Sequence, residues 1–278
     1  MTTVLGLIGS ARKWGNSEVL ARQALLGAQE AGAETNLLRL SDLHIEPCIG
    51  CMRCAIKGEP CPLDDDMFML IDRLRAADAA VLAAPTYILG PPGAVKLVLD
   101  RMLMMVPYLD ELTQKPKPGL ALSVSGLHPW RGTALPFLVT FLQGFGFTRV
   151  NSLACYTPGP GEVLLDDALM ERVHDLGRQL AQGELASPTP EANVCPVCHS
   201  DFFTLSADRA TCPICGLQAH IEHTADGIRL AFDDSTGYEG HWTPRGMRQF
   251  VEEWIIPSGE RFLAHRQEIK ARRARLES

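Results

Sequence analysis

Two spacings alternate along the first two-thirds of the chain. Residues 3–9 (Thr-Val-Leu-Gly-Leu-Ile-Gly) and 79–84 are continuous apolar runs of strand length, the mark of strands buried on both faces. Segments 35–40, 119–125 and 149–156 read as further strands. Between them, apolar residues return at helical intervals. The spacing predicts a helix from 16 to about 31, capped by Asn16 or Ser17 and ended by Gly32, with Val19, Leu20, Ala24 and Leu26 on one side. Further helices are predicted over 66–76, 93–105 and 166–182. Strands alternating with helices imply βαβ units and right-handed crossovers. The expected class is α/β: a flavodoxin-like five-stranded parallel sheet with helices on both faces. Such a sheet places a ligand crevice at the carboxyl ends of its strands.

Past residue 186 the pattern changes. Residues 187–193 (Ser-Pro-Thr-Pro-Glu-Ala-Asn) have linker composition. A cysteine-rich module follows over 194–232. Residues 240–278 read as one or two helices carrying Phe250, Trp254, Ile255, Phe262 and Leu263, with Pro257 breaking or kinking them. The expected domains are therefore 1–186, 194–232 and 240–278.

Charge narrows the partners. The net charge is −7; the first 186 residues carry 16 basic against 20 acidic groups and the remainder 10 against 13. Neither part is a basic module, which disfavours wholesale binding to nucleic-acid phosphates. The basic end, residues 270–275, suits a helix C-terminus without any such role. No stretch reaches the roughly 20 apolar residues of a membrane span, and the run at 4–8 is too short for a signal-peptide core. The expectation is a soluble, cytoplasmic protein that does not bind membranes.

Nine cysteines add the chemistry. Four lie at 48, 51, 54 and 61, four at 195, 198, 212 and 215, and Cys155 stands alone as a small buried hydrophobe. Without an export signal, clustered thiols point to metal or redox work rather than disulfides. Cys48, Cys51 and Cys54 at two-residue gaps, completed by Cys61, offer four thiolates from one loop (47–62) and favour a [4Fe–4S] cluster; redox thiols and zinc are the alternatives. Cys195-Pro-Val-Cys198 and Cys212-Pro-Ile-Cys215, thirteen residues apart, form two knuckles of a zinc ribbon, with a rubredoxin-like iron as competitor. His199, His220 and His223 are then surface or supporting residues. Asp64, Asp65 and Asp66 read as helix-start acids with no catalytic role.

Three loops occupy the expected crevice. The turn 9–17 (Gly-Ser-Ala-Arg-Lys-Trp-Gly-Asn-Ser) joins a strand to a helix N-terminus and offers small residues, hydroxyls and Arg12 to an anion such as phosphate; an ordinary strand–helix turn is the plainer reading. The segment 85–93 places Tyr87, a hydroxyl and backbone amides where a flat heteroaromatic ring needs a wall and edge hydrogen bonds. Ser125, Gly126, His128 and Trp130 follow the fourth strand.

Gly9-Ser10-x-Arg12-x-x-Gly15-Asn16-Ser17, Pro85-x-Tyr87-x-x-Gly90 and Lys96-x-x-x-Asp100-Arg101 together resemble the NAD(P)H-dependent FMN reductase branch of the flavodoxin superfamily. The resemblance covers about 185 residues, or two-thirds of the chain. It implies that Ser10, Arg12, Asn16 and Ser17 bind the FMN phosphate, that Pro85, Thr86, Tyr87 and Gly90 line the isoalloxazine, and that Ser125 and Gly126 close the third side. His128 and Trp130 depart from the richer glycine run usual in the third loop. The first cysteine loop resembles that of the iron–sulfur flavoproteins. The reading is an FMN-dependent oxidoreductase coupling a [4Fe–4S] cluster to FMN, with an appended zinc ribbon. It implies NAD(P)H or a ferredoxin as donor, a small-molecule or protein acceptor, and a homodimer or homotetramer. The alternatives are a clusterless NAD(P)H:FMN, quinone or azo reductase, and a zinc-ribbon adaptor with a non-catalytic flavodoxin-like domain.

Overall fold

The computed structural model describes residues 1–186, 192–225, 227–233 and 240–276. Five strands, β1 (Thr3–Ile8), β2 (Glu34–Arg39), β3 (Ala79–Pro85), β4 (Pro118–Ser125) and β5 (Arg149–Tyr156), form a parallel sheet in the order β2-β1-β3-β4-β5. The expected flavodoxin-like sheet is thus present. Strand order reverses between β1 and β3, so the loops leaving those two strands diverge to opposite sides and open a crevice.

Alternation along the strands divides the core. Leu5, Leu7, Leu82, Ala84 and Ala121 face one side. There they meet α3 (Met67–Ala76), α4 (Gly93–Asp100) and α6 (Ala134–Gly144). Val4, Ile8, Val81, Ala83, Leu120 and Leu122 face the other side, against α1 (Asn16–Glu30) and α7 (Asp167–Gln182). Helices α1 and α7 cross at two glycines. A Cβ on Gly27 would collide with the carbonyl of His174, and one on Gly177 with that of Ala24. No larger residue permits this approach.

Several expectations change in detail. The cap of α1 is Gly15, and neither Asn16 nor Ser17 caps it. The helix expected over 93–105 stops at Asp100, and a 3₁₀ segment, Met102–Tyr108, leads into α5 (Leu109–Gln114). Pro107, which has no amide to donate, lies in that segment. The cysteine loop contains one short helix, α2 (Arg53–Ile56). Helix α6 has no counterpart in the sequence reading; nine of its eleven residues are buried, so it carries no polar stripe.

Four antiparallel strands follow: β6 (Thr204–Ser206), β7 (Arg209–Thr211), β8 (Gln218–Thr224) and β9 (Gly227–Phe232), in that order across the sheet. Residues 187–191 of the expected linker lie outside the described residues. Asn193, also assigned to the linker, bonds to the backbone of Ile228 and Leu230 in β9. The C-terminal stretch comprises α8 (Pro244–Phe250), a π-helical turn (Val251–Ile255) and α9 (Ile256–Ala274). Pro257 does not break the helix: it falls in the first turn of α9, where the π turn absorbs its missing hydrogen bond. Val251 and Ile255 pack against Ala55 of α2, placing the end of the chain on the cysteine loop. Among the described residues, no helix is long and apolar enough to cross a membrane.

Candidate functional site

A cleft opens at the carboxyl ends of β1, β3 and β4. It is lined by Ser10, Arg12, Gly15, Asn16, Ser17, Pro85, Thr86, Tyr87, Val124, Ser125, Gly126, Thr157 and Pro158, around a cavity of about 170 Å³ that opens to solvent. Nine of the ten cofactor-binding residues expected from the sequence meet here. Gly90, the tenth, shares the tight Tyr87–Gly90 turn, with backbone bonds of 2.8 and 3.1 Å in both directions. A larger hollow on the α1–β2 side, between Trp14 and Met170, contains none of the β3 and β4 loops.

The first loop is held from outside the cleft. Arg39, the last residue of β2, donates through Nη1 to the carbonyls of Ser10 (2.6 Å) and Arg12 (3.1 Å). Its Nη2 donates to Glu18 at 2.6 Å. Glu18 also accepts from the Trp14 amide at 2.6 Å and from Arg22. Burial raises the Glu18 carboxyl, but Arg39, the Trp14 amide and Arg22 more than offset this and hold it at about 2. Arg39 thereby engages two carbonyls whose partial negative charge would oppose an anion, while Arg12 remains exposed at the rim. Ser10 accepts the Arg12 amide at 3.2 Å.

Asn16 works differently from the sequence reading. Its amide donates to the carbonyls of Thr157 (3.1 Å) and Gly159 (2.8 Å), and its Oδ1 accepts from Val163. It fastens the first loop to the loop after β5, which the sequence reading left out of the site. The Pro/Gly run at 157–161 was the available signal. Arg39 and Glu18 were missed as well.

In the second loop, Ile88 and Leu89 adopt positive φ of 47° and 63°. That conformation is strained for a β-branched residue. The Leu89 carbonyl holds the turn by accepting from the amide and hydroxyl of Thr133. Tyr87 is exposed beside the cleft, and His128 of the third loop stacks obliquely on Tyr156 at 4.9 Å.

These features fit FMN. A helix N-terminus with an exposed arginine and two serines suits a phosphate. The Tyr87 and Gly126 loops flank a space that no side chain fills, and a Cβ on Gly126 would come no closer than 3.8 Å to Pro158.

The cysteine loop follows β2. Cys48 and Cys51 are exposed; Cys54 and Cys61 are half-buried against the core. Burial, with the nearby Cys61 sulfur, pushes the Cys54 thiol up. The quartet forms no tight single-ion group among the described residues. A cubane spreads its four thiolates wider than one ion does, so donor number and type still fit. The acids after the loop tie its ends. Asp66 accepts the His44 amide, and Asp65 accepts those of Glu46 (2.8 Å) and Met67 (3.1 Å). Asp65 also pairs with Arg101, both side chains being at most 1% exposed. The guanidinium lies 3.4 Å from Cys61 Sγ, and its Nε has no hydrogen-bond partner. A buried cation against the loop suits an anionic cluster.

Cys195, Cys198, Cys212 and Cys215 are buried, with all four sulfurs within 4.8 Å of one another. Cys198 and Cys212 are 3.4 Å apart and Cys195 and Cys215 3.5 Å apart. Tetrahedral zinc with 2.3 Å bonds spaces its sulfurs by about 3.8 Å. The residue after each knuckle's second cysteine is left-handed: His199 at φ 59° and Gly216 at 85°. Among the accompanying histidines, His199 reaches back to the sheet, its Nδ1 2.7 Å from Ser152 Oγ, and burial holds it at about 4. Gln143 donates to the Val197 carbonyl at 2.7 Å.

Comparison with known proteins agrees with this geometry. Residues 2–153 match the family described as NADPH-dependent FMN reductase. An iron–sulfur flavoprotein of Methanocaldococcus jannaschii is 38% identical over 98 residues, 35% of this chain and 50% of its own length. The chain thus spans half of that relative. An iron–sulfur flavoprotein of Archaeoglobus fulgidus is 31% identical over 183 residues, 64% of this chain and 78% of its own. Among solved structures, a flavone reductase superposes on 99% of this chain and 97% of its own, with a TM-score of 0.76 at 24% identity. The whole architecture, ribbon and terminal helices included, therefore has a counterpart.

Proposed function

Because the chain belongs to the NADPH-dependent FMN reductase family, a family of flavin-dependent oxidoreductases, we propose that it couples FMN to a [4Fe–4S] cluster on Cys48, Cys51, Cys54 and Cys61, with zinc on the C-terminal quartet. The observation that carries this reading is the meeting of three loops at the strand-order reversal, together with a four-thiol loop that follows the neighbouring strand β2 and has a buried cation against one of its sulfurs. When bound, FMN exchanges one electron or a pair and a cubane exchanges one, so the two together would convert paired into single electrons.

The chain's own residues set the conditions. Ser10, Arg12 and Ser17 grip the phosphate at the start of α1, and Arg39 removes the opposing carbonyls. Pro85, Thr86, Tyr87 and Gly90 wall one side of the ring; Ser125 and Gly126 close the other. The Ser125 hydroxyl donates to the Leu127 carbonyl at 3.3 Å, which fixes the third loop. NADPH is the donor the family description suggests, a small molecule or redox protein the acceptor, and a dimer or tetramer the assembly.

A plain FMN-dependent reductase is the second reading. It is favoured by the first quartet's failure to form a tight ligand group. Flavin, iron, sulfide and zinc analysis of anaerobically purified protein separates the two. The proposal expects one FMN, four irons, four sulfides and one zinc per chain, on the cubane and S4 assignments. It also expects Arg12→Ala to weaken FMN binding tenfold or more, on the scale of a lost charge-assisted bond. Flavin without iron or sulfide gives the plain reductase. No retained flavin rejects both.

A further inference from the structure

Arg101 closes α4 and turns inward. Its Nη1 donates to Asp65 Oδ2 and, at 3.4 Å, to the Glu46 carbonyl. Its Nη2 lies 3.4 Å from Cys61 Sγ and 3.4 Å from Met104 Sδ. Both side chains of the ion pair are at most 1% exposed. Stability is a poor reason for such an arrangement. Burying the pair carries a desolvation penalty that well-packed apolar residues would avoid, and here one guanidinium nitrogen goes unsatisfied as well. The geometry is also asymmetric. Asp65 occupies one arm of the fork and the sulfur faces the other, so Cys61 meets the positive end of the pair.

We propose that Arg101 is a tuning residue for the redox centre on the cysteine loop: it donates through Nη2 to the Cys61 ligand sulfur, is held there by Asp65, and favours the reduced form. This rests on the reading of Cys48, Cys51, Cys54 and Cys61 as ligands of a [4Fe–4S] cluster. One-electron reduction adds a single negative charge to a group that four thiolates already make anionic. No bond forms or breaks and no proton is required. A fixed, water-excluded donor at the ligand sulfur strengthens with that charge, so it shifts the equilibrium toward reduction. Asp65 does two opposed things: it positions the cation and partly cancels its field.

The test is an anaerobic titration of the full-length flavin- and cluster-loaded protein with dithionite as electron source, the cluster followed by electron paramagnetic resonance. Arg101→Lys keeps the cation and is expected to stay within threefold of wild type in the reduction equilibrium. Arg101→Met with Asp65→Asn removes both charges and is expected to disfavour reduction at least tenfold, 59 mV for a one-electron couple. Asp65→Asn alone keeps an amide oxygen to hold the guanidinium at Cys61, leaves the cation uncancelled and is expected to move the potential the other way. Unchanged potentials in the double variant, or a downward shift in Asp65→Asn, overturn the proposal with the cluster reading intact. If the double variant does not assemble its cluster, the sign of the Asp65→Asn shift decides. Iron analysis of wild type is independent: a protein without iron overturns the cluster reading and this proposal with it.

Discussion

Glu18 is the residue through which the anion loop can be probed without touching the flavin contacts. Its carboxylate joins Arg39, Arg22 and the Trp14 amide, and its side chain is only 4% exposed. Held at about 2 rather than 4.5, it contributes about 3 kcal/mol to folding at neutral pH, taking about 1.4 kcal/mol per unit. The folded-state value is depressed, so this stability is complete above pH 4.5 and disappears as pH falls toward 2. Glu18→Gln removes it and leaves Arg39, 8% exposed, without its buried carboxylate, the exposed Asp42 at 3.8 Å being its remaining acidic neighbour. The expected loss at pH 7 is therefore about 3–5 kcal/mol, the range for breaking a buried pair. The assay is urea unfolding of wild type and variant, both flavin-free, followed by circular dichroism at pH 7, 4.5, 3 and 2. Comparing the two proteins cancels the other carboxylates that titrate in this window, Asp65 and Asp78 among them. The difference between the two curves should be widest at pH 7 and close to zero at pH 2. A difference below about 1 kcal/mol at pH 7, or one that stays constant down to pH 2, would refute the reasoning.

Two other substitutions probe the rest of the molecule. Cys195→Ser should abolish metal binding at the C-terminal quartet and expose residues 192–233 to protease while FMN binding persists; full metal content in the variant would reject the ligand assignment. Gly27→Ala drives a methyl into the His174 carbonyl at the α1–α7 crossing. It should destabilise by about 1–3 kcal/mol or more, read as a lower Tm, and a wild-type Tm would show that the crossing can open.

The chain announces its sheet through apolar runs. β5 was legible to the residue at 149–156, and the other four strands to within one position; β1, β3 and β4 are buried on both faces and leave continuous apolar stretches, whereas the edge strands β2 and β5 are only partly buried and mix in polar residues. Helix α6 was hidden by the same physics: a helix buried on nearly every side has no polar face to set its period. The loops of the cleft were legible because hydroxyls, glycines and an arginine follow strand ends. The residues that hold those loops were not. Arg39 meets Glu18 across 21 positions, and Arg101 meets Asp65 across 36. Nothing local in the sequence marks such pairs. Asn16 shows the limit from the other side: its place in the turn suggested an anion ligand and a cap, whereas its amide spans to carbonyls 141 and 143 residues away.

Among the described residues β5 pairs only with β4, so one of its margins has no described strand beside it. Gln143 of α6 and Ser152 of β5 hold the first cysteine knuckle, through the Val197 carbonyl and His199. Bare sheet margins recruit strands from other molecules. On the zinc reading, a chelator would unfasten the knuckle that these bonds hold next to the bare margin. Metal scarcity would then show first as insolubility, with the nucleotide still in its seat.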